Sequence, residues 1–347
     1  MELRNLRRGA GARPFIIAEM SGNHNQSLER ALEIVDAAAA AGVDAVKIQT
    51  YTADTMTLDI ATGEFFIADQ DSLWKGESLY RLYEKAHTPW EWHKTIFERC
   101  KEHGILGFST PFDDTSVDFL EELDVPCYKI ASFENVDIPL IRKVARTGKP
   151  MIVSTGMTTV SEIAELVRTA RENGCRDLTL LKCTSSYPAS AEGTNLRTIP
   201  HMRKLFNCEV GLSDHTLGIG VAVASVALGA SVIEKHFTLS RADGGVDVAF
   251  SLEPDEMAQL VRECRAAALA MGEVCYEIAD QEKKSLRFRR SLYIVKDMKA
   301  GDVITAENMR RIRPGGGLSP KYYDTILGRK IKYDVTCGTA LSWDMLV

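Results

Sequence analysis

The chain has 347 residues, of which 45% are hydrophobic and 26% are charged, and its formal net charge at pH 7 is −6. This composition is typical of a folded globular protein and excludes a disordered or fibrous chain. The 42 Lys and Arg residues are spread among 48 Asp and Glu residues, which leaves no basic surface large enough for a nucleic acid. We therefore expect no nucleic-acid partner.

Targeting and membrane signals are also missing from the sequence. The N-terminus begins with basic residues, but polar residues return at 21–26 before any apolar run reaches the length of a signal peptide. The longest apolar stretch, 220–233, is shorter than a membrane span and rich in Ala, Ser and Gly. The eight cysteines include no C-x-x-C pair. These features predict a cytoplasmic protein with reduced thiols and no membrane contact.

Short apolar runs alternate with helical segments along the first 272 residues, which is typical of a parallel α/β fold. Ser27 and Gly42 have the residue types that begin and end a helix, as do Ser161 and Gly174 further along the chain. Each of eight runs precedes a helical segment, so the pattern predicts a (β/α)8 TIM barrel. The runs are 15–19, 45–50, 105–110, 125–132, 151–155, 178–184, 208–213 and 231–237.

Two further segments interrupt or follow this pattern. Residues 51–88 form a long insertion after the second strand, and long loops at this position usually carry function. Charged residues at 280–290 indicate a connector, and short apolar runs separated by glycines follow it. We predict a barrel domain over 1–275, a linker over 276–290 and a small β-rich domain over 291–347.

Polar residues at the carboxyl ends of the strands are the candidates for chemistry, because TIM-barrel active sites lie there. Lys47 and Lys129 occupy such ends in two different strands, and Ser and Thr residues stand nearby. Two ammonium groups with several hydroxyl donors suit a small phosphorylated carboxylate. The alternative is that each lysine is an ordinary strand-end side chain in water. No complete nucleotide-binding fingerprint is present.

Two histidines mark a possible metal site. His215 ends the seventh predicted strand and His236 ends the eighth, so they become neighbours in a closed barrel. Asp214 and Glu234 stand beside them and could orient the imidazoles. Two imidazoles with open positions suit a metal ion that acts as a Lewis acid. A lone histidine would more often be structural.

Several motifs together resemble the sialic acid synthase family. They are AEMSGNHNQSL at 18–28, VKIQTY at 46–51, STPFD at 109–113, YKIAS at 128–132, STGM at 154–157, CTSSYP at 183–188, GLSDHT at 211–216 and EKHFT at 234–238. The C-terminal segment resembles that family's antifreeze-like (SAF) domain. Within the family, residues 21–35, 50–59 and 83–93 are most similar to the pseudaminic acid synthases.

The resemblance implies a metal-dependent condensation of phosphoenolpyruvate with an open-chain N-acetylated amino sugar, with Mn²⁺ as the usual metal and Mg²⁺ or Co²⁺ as substitutes. For the pseudaminic acid subgroup the sugar is 2,4-diacetamido-2,4,6-trideoxy-altrose. It further implies a domain-swapped homodimer, in which Arg313 reaches the partner subunit's active site. Product use in bacterial surface glycosylation is a further implication of the family.

Residue roles follow from the same resemblance. The catalytic set comprises the metal ligands His215 and His236 with Lys47 and Lys129, which the resemblance implies. Glu234 and Glu19 join this set because they stand at the carboxyl ends of predicted strands. The implied phosphoenolpyruvate contacts are Lys47, Lys129, Thr110, Ser132, Ser185 and Ser213. The implied sugar contacts are Gln49, Glu134, Tyr187 and Asp247, with Asn23 and Asn25 as further hydrogen-bonding groups.

One position departs from the family pattern. Some relatives carry Glu where this chain has Asn25, so a carboxylate base at that position is absent. Either that acid is dispensable or Glu19 or Glu234 takes its place. The rival interpretations are a synthase for N-acetylneuraminic or legionaminic acid and, from another class, a carbohydrate-binding protein without catalysis.

Overall fold

A computed structural model describes residues 13–70 and 72–347. Eight parallel strands close into a barrel in the order β1 to β8, which confirms the predicted TIM-barrel fold. The strands are β1 (Phe15–Glu19), β2 (Ala45–Thr50), β3 (Leu106–Pro111), β4 (Tyr128–Ile130), β5 (Met151–Ser154), β6 (Leu178–Cys183), β7 (Glu209–Asp214) and β8 (Val232–His236).

The main helices follow the strands as the sequence pattern predicts. They are α1 (Leu28–Ala41), α2 (Ala53–Met56), α3 (Leu79–Ala86), α4 (His93–Glu102), α5 (Asp114–Glu122), α6 (Ile138–Arg146), α7 (Val160–Glu172), α8 (Thr198–Phe206), α9 (Gly220–Ala227) and α10 (Pro254–Ala270). Helices α2 and α3 lie in the 51–88 insertion. Short 3-10 turns occur between several of these elements.

Barrel closure depends on the pairing of β1 with both β2 and β8. Ile17 stands opposite Ala45 on one side, and Glu19 stands opposite His236 on the other. Strand β4 has only three residues, although the sequence predicts an apolar strand over 125–132. Pro126 lacks a backbone N–H, which accounts for the late start of this strand.

Alternation along the strands divides the core into two layers. The inner layer, one residue or more from nearly every strand, fills the barrel and consists of Phe15, Ile17, Ala45, Phe108, Cys127, Ile152, Leu181 and Val232. The outer layer lies between strands and helices and includes Ile16, Val46 and Ile233. Polar residues placed two positions after an inner-layer residue therefore point into the barrel mouth.

Helix ends test the capping predictions made from the sequence. The Ser27 side chain accepts a hydrogen bond from the backbone of Arg30 and caps α1, and Gly42 ends the helix with φ +86°, as predicted. The prediction for Ser161 is wrong. Thr159 caps α7 instead, because its hydroxyl and the Glu162 carboxylate satisfy each other's backbone N–H groups.

The chain divides into two compact units, Met1–Gly272 and Glu273–Val347. The second unit contains helix α11 (Asp280–Lys283), the antiparallel strands β9 (Ser291–Ile294) and β10 (Met309–Ile312), and helix α12 (Tyr323–Ile326). Its own apolar core includes Leu292, Ile304 and Ile331. Across residues 13–70 and 72–347, no helix is long and apolar enough to cross a membrane.

Candidate active site

A cavity of about 590 Å³ opens at the carboxyl ends of the barrel strands. Most residues that the sequence nominates for chemistry line this one cavity, although they come from distant parts of the chain. They are Glu19, Lys47, Gln49, Lys129, Ser132, Glu134, Tyr187, Ser213, His215, Glu234, His236 and Asp247. The barrel therefore gathers the predicted chemistry where TIM-barrel active sites lie.

The bottom of the cavity holds four buried ionisable side chains, Glu19, Lys47, Lys129 and Glu234, which we call the charged floor. Each lies in a strand and follows an inner-layer apolar residue by two positions, although Cys127, which precedes Lys129, stands just before β4. Alternation therefore directs these side chains inward. None is more than 5% exposed. Buried charges of this kind are tolerated only when they are paired.

Ion pairs link the members of the charged floor. Lys47 Nζ lies 2.6 Å from Glu19 Oε2 and 3.9 Å from Glu234 Oε2, and Lys129 Nζ lies 3.6 Å from Glu234 Oε1. Gln49 donates to Glu19 at 2.9 Å, and Ser213 donates to Glu234 at 3.1 Å. The two ammonium groups and two carboxylates thus form one connected network.

Burial and neighbouring charges move the pKa values of the floor in different directions. Burial raises the pKa of Glu19 against the opposing effect of Lys47. Burial also favours a protonated Glu234, but Lys129 and Lys47 outweigh it and lower that pKa. Burial lowers the pKa of Lys129, whereas at Lys47 the two carboxylates outweigh burial and raise the pKa. Glu19 is thus the carboxyl of the floor best suited to hold a proton.

Hydroxyl groups surround both lysines. Lys47 donates to Thr110 at 3.0 Å and Lys129 donates to Ser154 at 2.7 Å. Ser154 was not among the residues implied by the family resemblance. Its signal in the sequence is its place two residues after the inner-layer Ile152.

Gly156 is a residue to which the sequence reasoning assigned no role. Its backbone N–H donates to Ser132 Oγ at 3.1 Å. A Cβ at this position would stand 2.1 Å from Ser185 Oγ and 2.7 Å from Ser132 Oγ. Only glycine therefore lets these two serine hydroxyls approach the backbone of the loop after β5. The glycine of the STGM motif is the signal that could have identified it.

The two predicted metal ligands are neighbours in the structure. The ring centroids of His215 and His236 lie 5.4 Å apart, and both side chains are buried. His215 Nδ1 lies 3.0 Å from the carbonyl oxygen of Thr184, which leaves Nε2 for a ligand. Within the described part of the chain, His236 Nδ1 is buried without a hydrogen-bond partner. Burial and the nearby positive charges lower the pKa of His236, so its imidazole is neutral.

This arrangement fits a metal ion held by two imidazoles. Metal–nitrogen bonds of about 2.0–2.1 Å allow two rings at this separation to share one ion. Among residues 13–70 and 72–347, no group of three or more His, Cys, Asp and Glu side chains could hold a metal. An ion bound here would therefore take its remaining ligands from water or substrate. Asp214 does not orient either imidazole: it bonds Lys235 at 2.8 Å and Thr216 instead.

Other predicted residues lie outside the cavity lining. Thr110 and Ser185 are not part of the lining, although Thr110 accepts a hydrogen bond from Lys47 and Ser185 lies beside Gly156. Asn23 is fully buried, and its amide donates to Phe237 O and Ser251 Oγ, both at 2.9 Å. These hydrogen bonds tie the loop after β1 to the segment after β8.

Asn25 lines a neighbouring cavity of about 560 Å³. Its amide donates to Gly244 O at 3.0 Å, and its backbone has φ +49°. Trp74, Leu82 and Val246 line both cavities and lie between them. Asn25 is therefore not brought together with the charged floor. Arg313 is an exposed residue of the second unit.

The fold and this cavity define a class of protein: a TIM-barrel enzyme with four buried ionisable groups and two neighbouring histidines at the barrel mouth. Comparison with known proteins makes the class specific. The NeuB family model matches residues 34–276, and the SAF domain model matches residues 289–347.

Relatives and solved structures agree with this match. The pseudaminic acid synthase of Campylobacter jejuni (strain 81-176) is 46% identical over 327 residues, covering 94% of this chain and 95% of that protein. The pseudaminic acid synthase of Helicobacter pylori is 42% identical, covering 95% and 97%. The crystal structure of N-acetylneuraminic acid synthetase from Leptospira borgpetersenii, in complex with citrate, matches with a TM-score of 0.72 and 31% identity, covering 83% of this chain and 95% of that chain. The chain belongs to the NeuB family.

Proposed function

We propose that this enzyme condenses phosphoenolpyruvate with 2,4-diacetamido-2,4,6-trideoxy-altrose to give pseudaminic acid and phosphate. The observation that carries the proposal is the 46% identity to a pseudaminic acid synthase over 94% of the chain. The sequence-based prediction of the same activity agrees with the names of these relatives. A purely carbohydrate-binding role would not require four buried, paired ionisable groups in one cavity.

The charged floor suits phosphoenolpyruvate. With both carboxylates ionised, the four groups of the floor would carry no net charge. Such a floor would attract an anion only weakly. Because burial raises the pKa of Glu19, a proton on this carboxyl leaves the floor with excess positive charge from Lys47 and Lys129. The hydroxyls of Ser132, Ser185 and Ser213 then provide donors for the phosphate oxygens.

His215 and His236 are the residues that we propose hold a divalent metal, with Mn²⁺ as the expected ion. When bound, the ion would polarise the sugar aldehyde and so make C1 more electrophilic. The lysines hold the enol of phosphoenolpyruvate so that its C3 can bond to C1 of the sugar. Water then adds at C2, and phosphate leaves by cleavage of the C–O bond.

The remaining lining residues are proposed to bind the sugar and to transfer protons. Gln49, Glu134, Tyr187 and Asp247 offer hydrogen-bonding groups above the floor. Asn25 lines the neighbouring cavity and carries no carboxylate, so we do not assign proton transfer to position 25. We assign that work to Glu19, because it lies at the floor of the cavity and burial raises the pKa of its carboxyl.

The assembly remains part of the proposal. We propose a synthase domain over 1–275, a linker over 276–290 and a SAF domain over 291–347, assembled as a domain-swapped homodimer in the cytoplasm. In this arrangement Arg313 would contact the sugar bound by the partner subunit. Sedimentation of the purified protein tests the dimer, and loss of activity in Arg313→Ala without loss of the dimer tests the residue.

The deciding experiment measures phosphate release from phosphoenolpyruvate with Mn²⁺. The diacetamido-trideoxy-altrose and N-acetylmannosamine are compared in parallel, with and without EDTA. Release with the first sugar alone, abolished by EDTA, is the expected result. Preference for N-acetylmannosamine would identify an N-acetylneuraminate synthase instead, and no release with either sugar would contradict the proposed substrate.

A further inference from the structure

The upper part of the cavity differs in chemistry from its floor. Five aliphatic side chains of the 51–88 insertion line it, and we call them the apolar wall: Met56, Ile67, Leu79, Leu82 and Ala86. They face the same enclosed space as the charged floor. A hydroxyl-rich sugar alone would not require such a surface, because burying hydroxyls against aliphatic groups is unfavourable.

Helix α3 provides most of this wall. Leu79, Leu82, Tyr83 and Ala86 are spaced i, i+3, i+4 and i+7, so they share one face of the helix. None of the residues in α3 is fully buried, although the four line the cavity. An apolar helix face that packs on no core and faces a substrate cavity is left available for a ligand.

The aromatic contacts place this helix above the floor. Lys47 and Gln49 lie on the inward face of β2, and Tyr51 follows directly after the strand. Each step of two residues rises by roughly 6.6 Å. Tyr51 is only 2% exposed, and its ring contacts those of Tyr83 and Phe112 at 5.8 and 5.1 Å. A ligand whose reacting end lies at the floor would therefore extend its far end toward α3.

We infer that the apolar wall selects the sugar by its methyl groups, above all by the deoxygenated C6. This inference rests on the proposed function, in which the aldehyde C1 lies at the metal and C6 is the far end of the chain. The expected sugar carries a C6 methyl and two acetamido methyls, whereas N-acetylmannosamine carries hydroxyls at C4 and C6. Leu79 and Leu82 are the specificity-determining residues.

The size of the effect is set by transfer energetics. One methylene in a hydrophobic pocket changes specificity by roughly 10–200-fold, and an apolar pocket rejects an added hydroxyl by roughly 100-fold. The wall should therefore provide one to two orders of magnitude of preference. It should not alter the binding of phosphoenolpyruvate, which lies at the floor.

The test compares two sugars that differ only at C6. We would measure kcat/KM for 2,4-diacetamido-2,4,6-trideoxy-altrose and for its 6-hydroxy counterpart, 2,4-diacetamido-2,4-dideoxy-altrose. The variants are Leu82→Asn and Leu79→Asn, each in the partly exposed helix α3. Leu58→Asn is the matched control, because Leu58 belongs to the same insertion but is 59% exposed and does not line the cavity.

We expect the 6-deoxy to 6-hydroxy ratio to fall about tenfold or more in both variants, with KM for phosphoenolpyruvate unchanged. Leu58→Asn should keep the wild-type ratio, and so should Leu82→Met, which conserves volume and polarity. Circular dichroism and thermal unfolding verify that the variants are folded. An unchanged ratio in folded Leu82→Asn and Leu79→Asn would overturn the inference while leaving the proposed function intact. No phosphate release by the wild-type enzyme with any of the sugars would overturn both.

Discussion

The charged floor and the apolar wall enclose one cavity but are built in opposite ways. The floor comes from four barrel strands, and its side chains are buried and joined by ion pairs. The wall comes from a single insertion, and the side chains of α3 within it are only partly buried. Strand pairing fixes the floor with little freedom, whereas few contacts fix the wall. The difference suggests that reaction chemistry belongs to the barrel and substrate choice to the insertion.

A hydrogen bond connects the insertion to the segment that follows β8, where residues of both line the cavity. The indole N–H of Trp74 donates to Val246 O at 2.8 Å, and the next residue, Asp247, lines the cavity beside Ser21, from which it accepts a hydrogen bond. Trp74 therefore holds the wall against the segment that follows β8. Substitutions at the floor, at the wall and at this contact should therefore change kcat/KM, the preference between sugars and the KM values in different ways.

Among single substitutions, a change in the floor should have the largest effect. Lys129→Met removes an ammonium group and leaves Glu234 with only Lys47, at 3.9 Å. We expect kcat/KM to fall roughly 10²–10³-fold, as when a group that stabilises developing charge is lost. The fall in kcat/KM should be equal for both sugars, because the floor is proposed to contact phosphoenolpyruvate and not the part of the sugar that differs. Lys94→Met, in which a 75% exposed side chain is changed, is the control. A change in the sugar ratio would contradict the division between floor and wall.

Removal of the metal ligands is expected to come next. EDTA should abolish phosphate release and Mn²⁺ should restore it. His215→Ala removes a proposed metal ligand and should lower activity by about 100-fold, no less than the loss of a residue that only orients a ligand. Equilibrium dialysis should show weaker Mn²⁺ binding by this variant, with exposed His201→Ala as the control. Wild-type Mn²⁺ affinity in folded His215→Ala would remove His215 from the metal site.

Glu134 lines the same cavity as the charged floor and the apolar wall. Its titration should change the free energy of unfolding with pH. Burial raises the pKa of Glu134 to about 7, against the opposing effect of Lys129 and with a smaller contribution from Asp137; the carboxyl in turn raises the pKa of Tyr83. Because the folded state keeps a proton that the unfolded state releases near pH 4.5, stability should fall as pH rises from about 4.5 through 7. The total loss in the free energy of unfolding over this pH range is roughly 3 kcal/mol.

Urea unfolding of wild type and Glu134→Gln between pH 5 and pH 8 measures this effect. The variant cannot ionise at this position, so its advantage over the wild type should grow with pH. Glu192→Gln, at an exposed glutamate, should follow the wild type. Stability curves of wild type and Glu134→Gln that remain parallel across this range would show that Glu134 titrates normally.

The smallest effect is expected at the contact between the two regions. Trp74→Phe keeps an aromatic ring but loses the donor to Val246 O, a net loss of about 0.5–1.5 kcal/mol. KM for the sugar should rise about 3–10-fold, while KM for phosphoenolpyruvate stays constant. Trp343→Phe, in the second unit, serves as the control. An equal rise in both KM values would place Trp74 in support of the whole cavity rather than of the wall.

Much of the floor could be predicted from the sequence. Each inward strand position alternates with an outward one, so an apolar residue such as Ile17 or Ala45 places Glu19 or Lys47 at the barrel mouth. Because the barrel closes, the same rule makes His215 and His236 neighbours. Strand periodicity is a local property of the chain. Closure of the barrel then brings the inward side chains at the strand ends together in one site.

Contacts between loops could not be predicted in this way. The sequence suggested Asn23 and Asn25 as substrate contacts and Asp214 as an orienting group, but these side chains bond to Phe237 O, Gly244 O and Lys235. Nothing in the local pattern of a loop specifies which distant segment will satisfy its polar groups.

The sequence by itself therefore determined the barrel, the charged floor and the family, because alternation and motif spacing are written in consecutive residues. Only the tertiary structure decided that helix α3 faces the cavity, that Gly156 admits two serine hydroxyls and that Asn25 belongs to a separate cavity. These features depend on packing between segments far apart in the chain. Such packing depends on how well the surfaces of distant segments fit together and on whether their buried polar groups find hydrogen-bond partners.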